Sequence, residues 1–536
     1  MITLSLVAQE SEEEGGELES FEVIINLEPP PIVLPPARKG EVFDGKIYLL
    51  PPGDTLVFGD RITNLHGDGG ALPVYGEFDD PLILNAEASI GTFISPRGRF
   101  GLEYAVDHWN GRAQLDLRST SGHVNGAEAS SLFFDGDLEY QIQGELPSPG
   151  KARVGLGMSL GSDSYTLYGN RASPFDRSRS IFGLDLGLTS ETDVSFDYAI
   201  NLIIESVALN DDTLGFTRDI SAVTPMFGAR FRLGNDSLNI GAGIYYQSTS
   251  LDYDTITKNP DFVEASGMVE WSPSQGIYVT AEGILSHGEF SDSGSSTLVM
   301  PRGGIRYEAG ENLALFAQVA PELRAASYRS RIMKVPYVDR EIALRPEKVL
   351  FNVSGGIRVG LGSVNLNGEV FFEKGENTPV VTLDGSAGKL RWDHVDSRTV
   401  GFHGGINAEI GEKIDLLGKL TFAKSVDEAT DEHLPMRPSV EVRGRLDYEL
   451  TDKLGLFGTL ALIGEQNVTS DVAVLPDSLF QTIDAQFFLG VGGTYDLLEN
   501  VSLFAEITNL LAQKYDRWQN YEAPGLELRV GARARL

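Results

Sequence analysis

The sequence predicts an all-β fold: a large antiparallel transmembrane β-barrel of about 22 strands with a short proline-rich N-terminal extension. Apolar and polar residues alternate through most of the chain, as in residues 238–247, LNIGAGIYYQ. This period of two indicates strands with one apolar face. The strands are about ten residues or longer, against about five or six in soluble sheets. Their polar face is rich in Gly, Asn, Gln and Glu, which suits a hydrated lumen.

The chain is expected to begin outside the barrel. Residues 1–9, MITLSLVAQ, are an apolar run that ends near a small residue, and we interpret them as the remnant of a signal peptide. Residues 10–81 are acidic and proline-rich, and we expect them to form a periplasmic extension. Their proline clusters favour an extended, semi-rigid tether. The barrel itself is predicted to occupy residues 82–536.

Short turn motifs recur along the barrel and set the strand count. Ten of them join strands in pairs, and one further strand at each end gives 22. Short turns on one side and long loops on the other are typical of outer-membrane barrels, and an even count leaves both barrel ends in the periplasm. The turns are predicted at 108–111, 147–150, 190–193, 234–236, 272–276, 309–312, 360–363, 411–413, 451–453 and 498–500. The long loops are predicted at 207–221, 251–260, 326–346, 426–436, 467–481 and 512–524.

The last strand is predicted to close the barrel. Lipid offers no hydrogen-bond partner to an open strand edge, so the C-terminal strand has to pair with the first one, near residues 82–94. Its even-numbered residues are apolar and are expected to face lipid. Arg529, Arg533 and Arg535 alternate with them and are candidate lumen cations that set an anion preference. The alternative is that they pair with acidic lumen residues or with the N-terminal segment.

The C-terminal sequence carries a family resemblance. The ending RVGARARL is similar to the signal that outer-membrane barrels present to their assembly machinery, with Gly531, Ala534 and Leu536 in the matching places. It departs in ending on Leu536 instead of an aromatic residue. Upstream, the chain resembles the end of a TonB-dependent receptor barrel, in which an Asn-Leu pair, two tyrosines and a Pro-Gly pair follow one another. These places are held by Asn509, Leu510, Tyr515, Tyr521, Pro524 and Gly525.

The resemblance implies a transport barrel in the cell outer membrane of a Gram-negative-type bacterium, which passes or imports a solute. It also implies outer membrane lipid, lipopolysaccharide and the barrel assembly machinery as partners. Residues 1–81 do not resemble the plug domain of that family, so the expectation is a receptor-like barrel without a recognisable plug. A separate plug, a lipoprotein or a periplasmic partner is then expected on another chain.

Several polar clusters are candidate sites. The predicted loop 326–346 and its flanks concentrate cations in an acidic chain, and guanidinium groups suit an anionic solute or lipopolysaccharide phosphates. The alternative is pairing with acidic loops. Acidic residues in the outer loops are candidate ligands for Ca²⁺ or Mg²⁺. The alternative is that they form a merely solvated acidic surface. The cations are Arg324, Arg329, Arg331, Lys334 and Arg340, followed by Arg345 and Lys348; the acids are Asp252, Asp254, Asp292, Asp427, Glu428, Asp431 and Glu432.

Composition excludes other classes of function. The 43 Lys and Arg against 77 Asp and Glu give a formal charge of −34, which argues against nucleic acid as a partner. The chain has no cysteine, so disulfides and thiolate metal sites are excluded. Its histidines are scattered and show no metal-ligand spacing, so we expect neither an enzyme nor a bound cofactor.

Three functions remain open at this stage. The first is a transport barrel with a plug or partner on another chain. The second is a passive porin-like channel that is gated by the N-terminal arm. The third is a structural scaffold barrel for other envelope proteins.

Overall fold

The computed structural model describes residues 82–536, except for 125, 143–151, 170–173, 191–195, 214–215, 236, 254–255, 293, 311, 385–388, 469–481 and 519. The predictions for residues 1–81 and for the turn at 147–150 therefore lie outside the described residues, as do 191–193 of the turn at 190–193 and 469–481 of the loop at 467–481. Long strands dominate. Numbered as barrel strands, they are β1 Leu82–Gly91, β2 Ser95–Val106, β3 Trp109–Thr120, β4 Ala129–Ile142, β5 Ala152–Thr166, β6 Asp176–Ser190, β7 Phe196–Thr213, β8 Phe216–Gly234, β9 Leu238–Ser248, β10 Asp261–Ser274, β11 Ile277–Glu289, β12 Ser295–Glu308, β13 Leu313–Val319, β14 Glu347–Leu361, β15 Val364–Asp384, β16 Lys389–Ile410, β17 Ile414–Asp427, β18 Val440–Thr451, β19 Leu454–Ile463, β20 Gln486–Leu498, β21 Val501–Thr508 and β22 Glu527–Arg535.

Short elements lie in the connections between these strands. The helix α1 is Tyr328–Lys334. Among the described residues, no helix is both long enough and apolar enough to cross a bilayer. The short strands are Ser250–Tyr253, Ile256–Lys258, Glu322–Arg324, Gln466–Asn467, Thr482–Ile483, Asp516–Trp518 and Tyr521–Glu522.

The 22 long strands form one closed antiparallel barrel. Each pairs with its neighbour in the chain, and β22 pairs with β1 from Asn85 opposite Arg535 to Gly91 opposite Arg529. Beyond that register, Leu84 and Leu536 exchange two backbone hydrogen bonds of 2.8 and 2.9 Å. Closure leaves no strand edge in contact with lipid. The predicted strand number and the predicted seam near residues 82–94 are both confirmed.

The two faces of the strands differ as the alternation predicts. On β22 and the residue before it, Leu526, Leu528 and Val530 are exposed on the outside of the barrel, where lipid lies. Arg529 and Arg533 point inward, because each forms an ion pair with a carboxylate on the lumen side of a neighbouring strand. The apolar belt and the polar lumen of a membrane barrel therefore follow from the sequence pattern.

The periplasmic turns that lie within the described residues agree with the prediction, but the predicted long loop at 207–221 was wrong and the one at 426–436 begins two residues later. At the first turn, the chain reverses at Asp107, whose φ is 54°, and His108, and β3 already begins at Trp109. Residues 207–213 and 216–221, predicted as loop, continue β7 and β8. Residues 426–427 likewise belong to β17. The tall β7–β8 hairpin persists because its inward residues Val207, Leu209, Ile220 and Ala222 are buried against another loop.

Candidate functional site

Residues 320–346 fold over the extracellular mouth of the barrel, and we call this segment the roof loop. It contains α1, which begins after Ser327, whose Oγ accepts a 3.2 Å hydrogen bond from the Ser330 backbone N–H. An N-cap of this kind stabilises a helix too short to persist alone. Tyr328, Ile332 and Val338 are completely buried, so the loop has an apolar core of its own.

The apolar core of the roof loop joins distant parts of the wall. On one side it packs in one cluster with Ile181 of β6 and with the inward residues of the β7–β8 hairpin. On another side the same cluster includes Val381 of β15 and Leu390 and Trp392 of β16. Burying an aliphatic side chain of this size stabilises by about 1.5–3 kcal/mol. The roof loop therefore bridges the mouth instead of standing beside it.

Arg177 of β6 fastens the roof loop to one wall. Its Nε and Nη2 donate to both carboxylate oxygens of Asp211 on β7, at 2.6 and 2.9 Å. Its Nη1 donates to the backbone carbonyls of Pro336 and Val338, at 3.0 and 2.7 Å. The residue is only 1% exposed. A buried guanidinium is tolerated where its donors are matched, as they are here.

Two further arginines act at the same wall. Arg179 pairs with Asp163 and donates through Nη1 to the carbonyl of Ile332 at 3.0 Å. Arg329 of α1 lies 3.4 Å from a carboxylate oxygen of Glu205 and donates to Ser159 Oγ at 3.2 Å. The guanidinium rests close to Gly183, since a Cβ there would lie 2.8 Å from Arg329 Nη1.

The opposite side of the roof loop is attached through backbone and ring contacts. Val338 forms a parallel β-bridge with Leu390 of β16, and the next N–H, of Asp339, donates to the Leu390 carbonyl at 2.6 Å. The Arg331 guanidinium lies 4.7 Å from the centre of the Trp392 ring. A cation over an indole face is attracted by the quadrupole of the ring.

Tyrosine side chains complete the closure. Tyr337 of the roof loop stacks on Tyr521 of the last outer loop, with ring centres 3.9 Å apart. Tyr168, on the loop after β5, packs edge-on against Tyr521 and donates to the Glu522 carbonyl at 2.9 Å. Tyr253 donates to the Ile342 carbonyl at 3.1 Å, and burial raises the pKa of Tyr253 to about 12, so its hydroxyl keeps its proton. Four outer loops therefore meet above the lumen.

A charged cluster lies at the base of the roof loop. Arg324 binds three carboxylates: Glu322, Glu347 at 3.3 Å and Glu373 at 2.9 Å. Lys334 has no carboxylate at salt-bridge distance in the part of the chain that the structure describes. Burial, followed by the nearby guanidinium of Arg437, lowers the pKa of Lys334 to about 7.

The predicted cation cluster thus belongs to the roof loop and its flanks. Arg329 and Arg340 are only 6% exposed, and Arg345 pairs with Asp292 at 2.9 Å. Pairing with acidic neighbours, the alternative reading, describes several of these residues. Their role toward an anionic solute or lipopolysaccharide stays a prediction.

The residues of the C-terminal strand lie at the barrel seam. Arg529 is 3.7 Å from a Glu506 oxygen, and Arg533 donates to Glu87 at 2.9 Å. Arg535 is opposite Asn85 in the β1 register. The three arginines are therefore stacked along one strand of the lumen wall, and their effect on ion preference is untested.

The predicted assembly signal lies on the same strand. Gly531 leaves room for the Phe504 ring, since a Cβ would come within 2.6 Å of it. Leu536 is 70% exposed, and Ala534 is opposite Ala86. Their role in assembly stays a prediction.

The acidic outer residues do not gather into a metal centre within the described residues. Asp292 pairs with Arg345, Glu428 with Lys374, and Asp431 with Arg398. Asp254 lies outside the described residues. The expectation of Ca²⁺ or Mg²⁺ at these loops is untested.

Sequence reasoning missed the arginines of β6. Arg177 and Arg179 alternate with serines in DRSRS, which places both on one face of a strand. Asp211, the partner of Arg177, was assigned to a loop, so that pairing could not be foreseen. Two arginines on one face of a predicted strand were the available signal.

The fold and the closed mouth can now be set beside known proteins. A family model described as TonB dependent receptor-like, beta-barrel, matches residues 49–510. The chain belongs to this family. Its members are receptors of the Gram-negative outer membrane, and the barrel described above fits that location.

Individual relatives are distant. The ferrienterobactin receptor of Escherichia coli strain K12 is 25% identical over 142 residues, which are 25% of this chain and 19% of that protein. The FrpB iron transporter of Neisseria meningitidis (F3-3 variant) has 11% identity and a TM-score of 0.67, over 86% of this chain and 82% of its own. The siderophore receptor PirA of Acinetobacter baumannii has 12% identity and a TM-score of 0.66, over 85% of this chain and 80% of its own. At this identity the structures show a shared fold.

Proposed function

We propose that the chain is an outer-membrane transport barrel that imports a solute, and that the roof loop is its extracellular gate. The observation that carries this proposal is the attachment of one loop to both sides of the mouth, through Arg177 on β6 and Leu390 on β16. A loop that closes a wide lumen, and is held to the wall by ion pairs, hydrogen bonds and one apolar cluster without a covalent link, suits a gate that opens and closes. A barrel of 22 strands is wide enough for a sizeable solute when its mouth is clear.

The names of the relatives suggest the class of solute. They are called a ferrienterobactin receptor, an iron transporter and a siderophore receptor. We extend the proposal to an anionic iron chelate, since Arg331 and Lys334 add positive charge to the roof loop. Import by such a receptor requires energy from the periplasmic TonB system and a plug, which a partner chain would supply. The function is that of a receptor and transporter and not of an enzyme.

A disulfide staple tests the gate, because the natural chain has no cysteine. Val338 and Leu390 are partners in an isolated parallel β-bridge, and the spacing of about 4.7–4.9 Å between paired extended chains lies within the Cα separation of about 4.4–6.8 Å that a disulfide spans. The V338C/L390C variant is expected to block uptake of ferric enterobactin by cells when oxidised and to recover uptake when reduced.

The matched control is A88C/A532C, whose partners lie opposite each other at the barrel seam, away from the roof loop. This staple is expected to leave uptake unchanged in both redox states. Equal uptake by the oxidised and reduced roof variant would contradict the gate. If neither cysteine variant takes up ferric enterobactin when reduced, the proposed solute is wrong. Planar-bilayer conductance of the two variants then still tests the gate.

A further inference from the structure

The outside of the barrel carries a group of cations on three neighbouring strands. Lys374 of β15 is directly opposite Arg398 of β16, and both side chains point away from the lumen. Lys424 of β17 is opposite Val400, two residues along β16 from Arg398 on the same face. The three cations therefore form a compact patch, although 50 residues of chain separate the first from the last.

The depth of the patch in the membrane follows from the strand lengths. Lys374 and Lys424 are each the eleventh residue of their strands, counted from the periplasmic turn. A tilted strand of about 9–11 residues crosses the hydrocarbon layer. The patch therefore lies at the outer edge of that layer, where lipid headgroups begin.

An apolar surface lies directly below the patch. Val370 is 60% exposed, and Val400 and Phe402 are exposed beside it. Phe351 and Phe372 pack edge to face at 6.0 Å on the same side. Cations directly above exposed aliphatic and aromatic side chains match an amphipathic anion with acyl chains.

Two strands on the far side of the barrel, both described in full, have no outward cations at this level. On β5 and β6 the exposed outward positions at the same level are serines: Ser162, Ser164, Ser178 and Ser180. The chain as a whole has a formal charge of −34. A cluster of three outward cations is therefore a local feature and does not reflect overall composition.

The acidic partners of Lys374 and Arg398 are weak competitors. Lys374 lies 2.7 Å from Glu428, and Arg398 lies 3.1 Å from Asp431, both on the loop after β17. The Arg398 and Asp431 side chains are 51% and 79% exposed. Exposed ion pairs contribute about 0–1 kcal/mol, so a phosphate of higher charge can replace them. A guanidinium also binds phosphate through two parallel hydrogen bonds.

We infer that Lys374, Arg398 and Lys424 bind the phosphorylated headgroup of a glycolipid of the outer leaflet, whose acyl chains lie on the apolar surface below. The site is on the outside of the wall and is independent of the gate. It also places the lipid contact away from the roof-loop cations that the sequence suggested.

Native mass spectrometry of the full chain in detergent tests this site with diphosphoryl lipid A as the probe. The K374Q/R398Q/K424Q variant is expected to retain at least about tenfold less of this lipid than the wild type. Dephosphorylated lipid A is expected to bind both proteins equally weakly. The control K413Q/K453Q removes two exposed lysines from periplasmic turns and is expected to match the wild type.

Three results would overturn the inference. The first is wild-type retention by the triple variant, and the second is an equal loss in the control, which would indicate net charge. The third is full displacement of the lipid by an equal concentration of inorganic phosphate, which would indicate a simple phosphate site. Heat-shifted electrophoretic mobility verifies that each variant forms the barrel.

Discussion

Replacing Arg177 by methionine is predicted to open the gate. The guanidinium donates to both Asp211 oxygens and to the carbonyls of Pro336 and Val338 on the roof loop. Methionine occupies a similar volume but donates no hydrogen bond. It also leaves Asp211, 5% exposed, without its cation. Removing one partner of a buried ion pair costs about 3–5 kcal/mol.

The part of this cost that acts on gating comes from the two bonds to the roof loop. A hydrogen bond from a charged donor contributes about 1.5–3 kcal/mol, so two such bonds contribute about 3 kcal/mol or more. Because about 1.4 kcal/mol is a factor of ten, the open fraction is expected to rise about 100-fold. Planar-bilayer recording of the purified barrel measures this as the fraction of time spent in the conducting state.

The matched control is Arg112→Met. Arg112 pairs with Asp137 at 2.9 Å but is half-exposed, and it lies near the periplasmic start of β3, at the other end of the barrel from the roof loop. Its removal is expected to leave the open fraction within about threefold of the wild type, since exposed pairs contribute about 0–1 kcal/mol. An open fraction for Arg177→Met no higher than that of Arg112→Met would refute the reasoning.

Three further predictions concern the roof loop and the seam. The pKa of Lys334 is about 7 in the closed structure and ordinarily 10.5, so between these pH values closure is expected to strengthen as pH rises and to weaken as pH falls. Conductance measured from about pH 6 to about pH 9 tests this. A pH dependence that is unchanged in Lys334→Met would exclude Lys334 as its source. Tyr337→Ala removes the stacking on Tyr521 and is expected to raise the open fraction about threefold to tenfold, because an aromatic pair contributes about 0.5–1.5 kcal/mol. An unchanged open fraction would show that this pair does not hold the gate. Gly531→Ala places a methyl group within 2.6 Å of the Phe504 ring and is expected to lower the yield of folded barrel in heat-shift electrophoresis. Gly525→Ala, whose Cβ meets nothing closer than 3.9 Å, is the control and is expected to keep the wild-type yield. Equal yields of the two variants would contradict the packing argument.

Much of the barrel could be predicted because its rules are local. Alternation sets which residues face lipid, and short turns set the number of strands, so the 22-strand count and the seam at β22 and β1 follow from the chain alone. The loop assignment at 207–221 failed because Asn210, Asp211 and Asp212 are polar, and polar runs usually indicate loops. Here the inward residues of that hairpin are buried against the roof loop, and this long-range packing keeps the strand extended.

The candidate sites were harder to predict because they depend on register. Clustered cations in sequence pointed to the roof loop, yet several of them serve its attachment, as Arg329 does on Ser159. The outward patch of Lys374, Arg398 and Lys424 is spread over three strands and appears only when the strands are aligned. Sequence spacing alone carries no information of that kind.

The most direct test of the central claim is the single-channel conductance of a barrel whose residues 326–344 are replaced by a short Gly-Ser linker, beside a barrel that lacks residues 10–80. If the roof loop is the gate, the pore conducts when the roof loop is removed and stays closed when only the N-terminal segment is removed. A closed pore without the roof loop, together with conduction after removal of residues 10–80, would contradict this role and assign closure to the N-terminal segment.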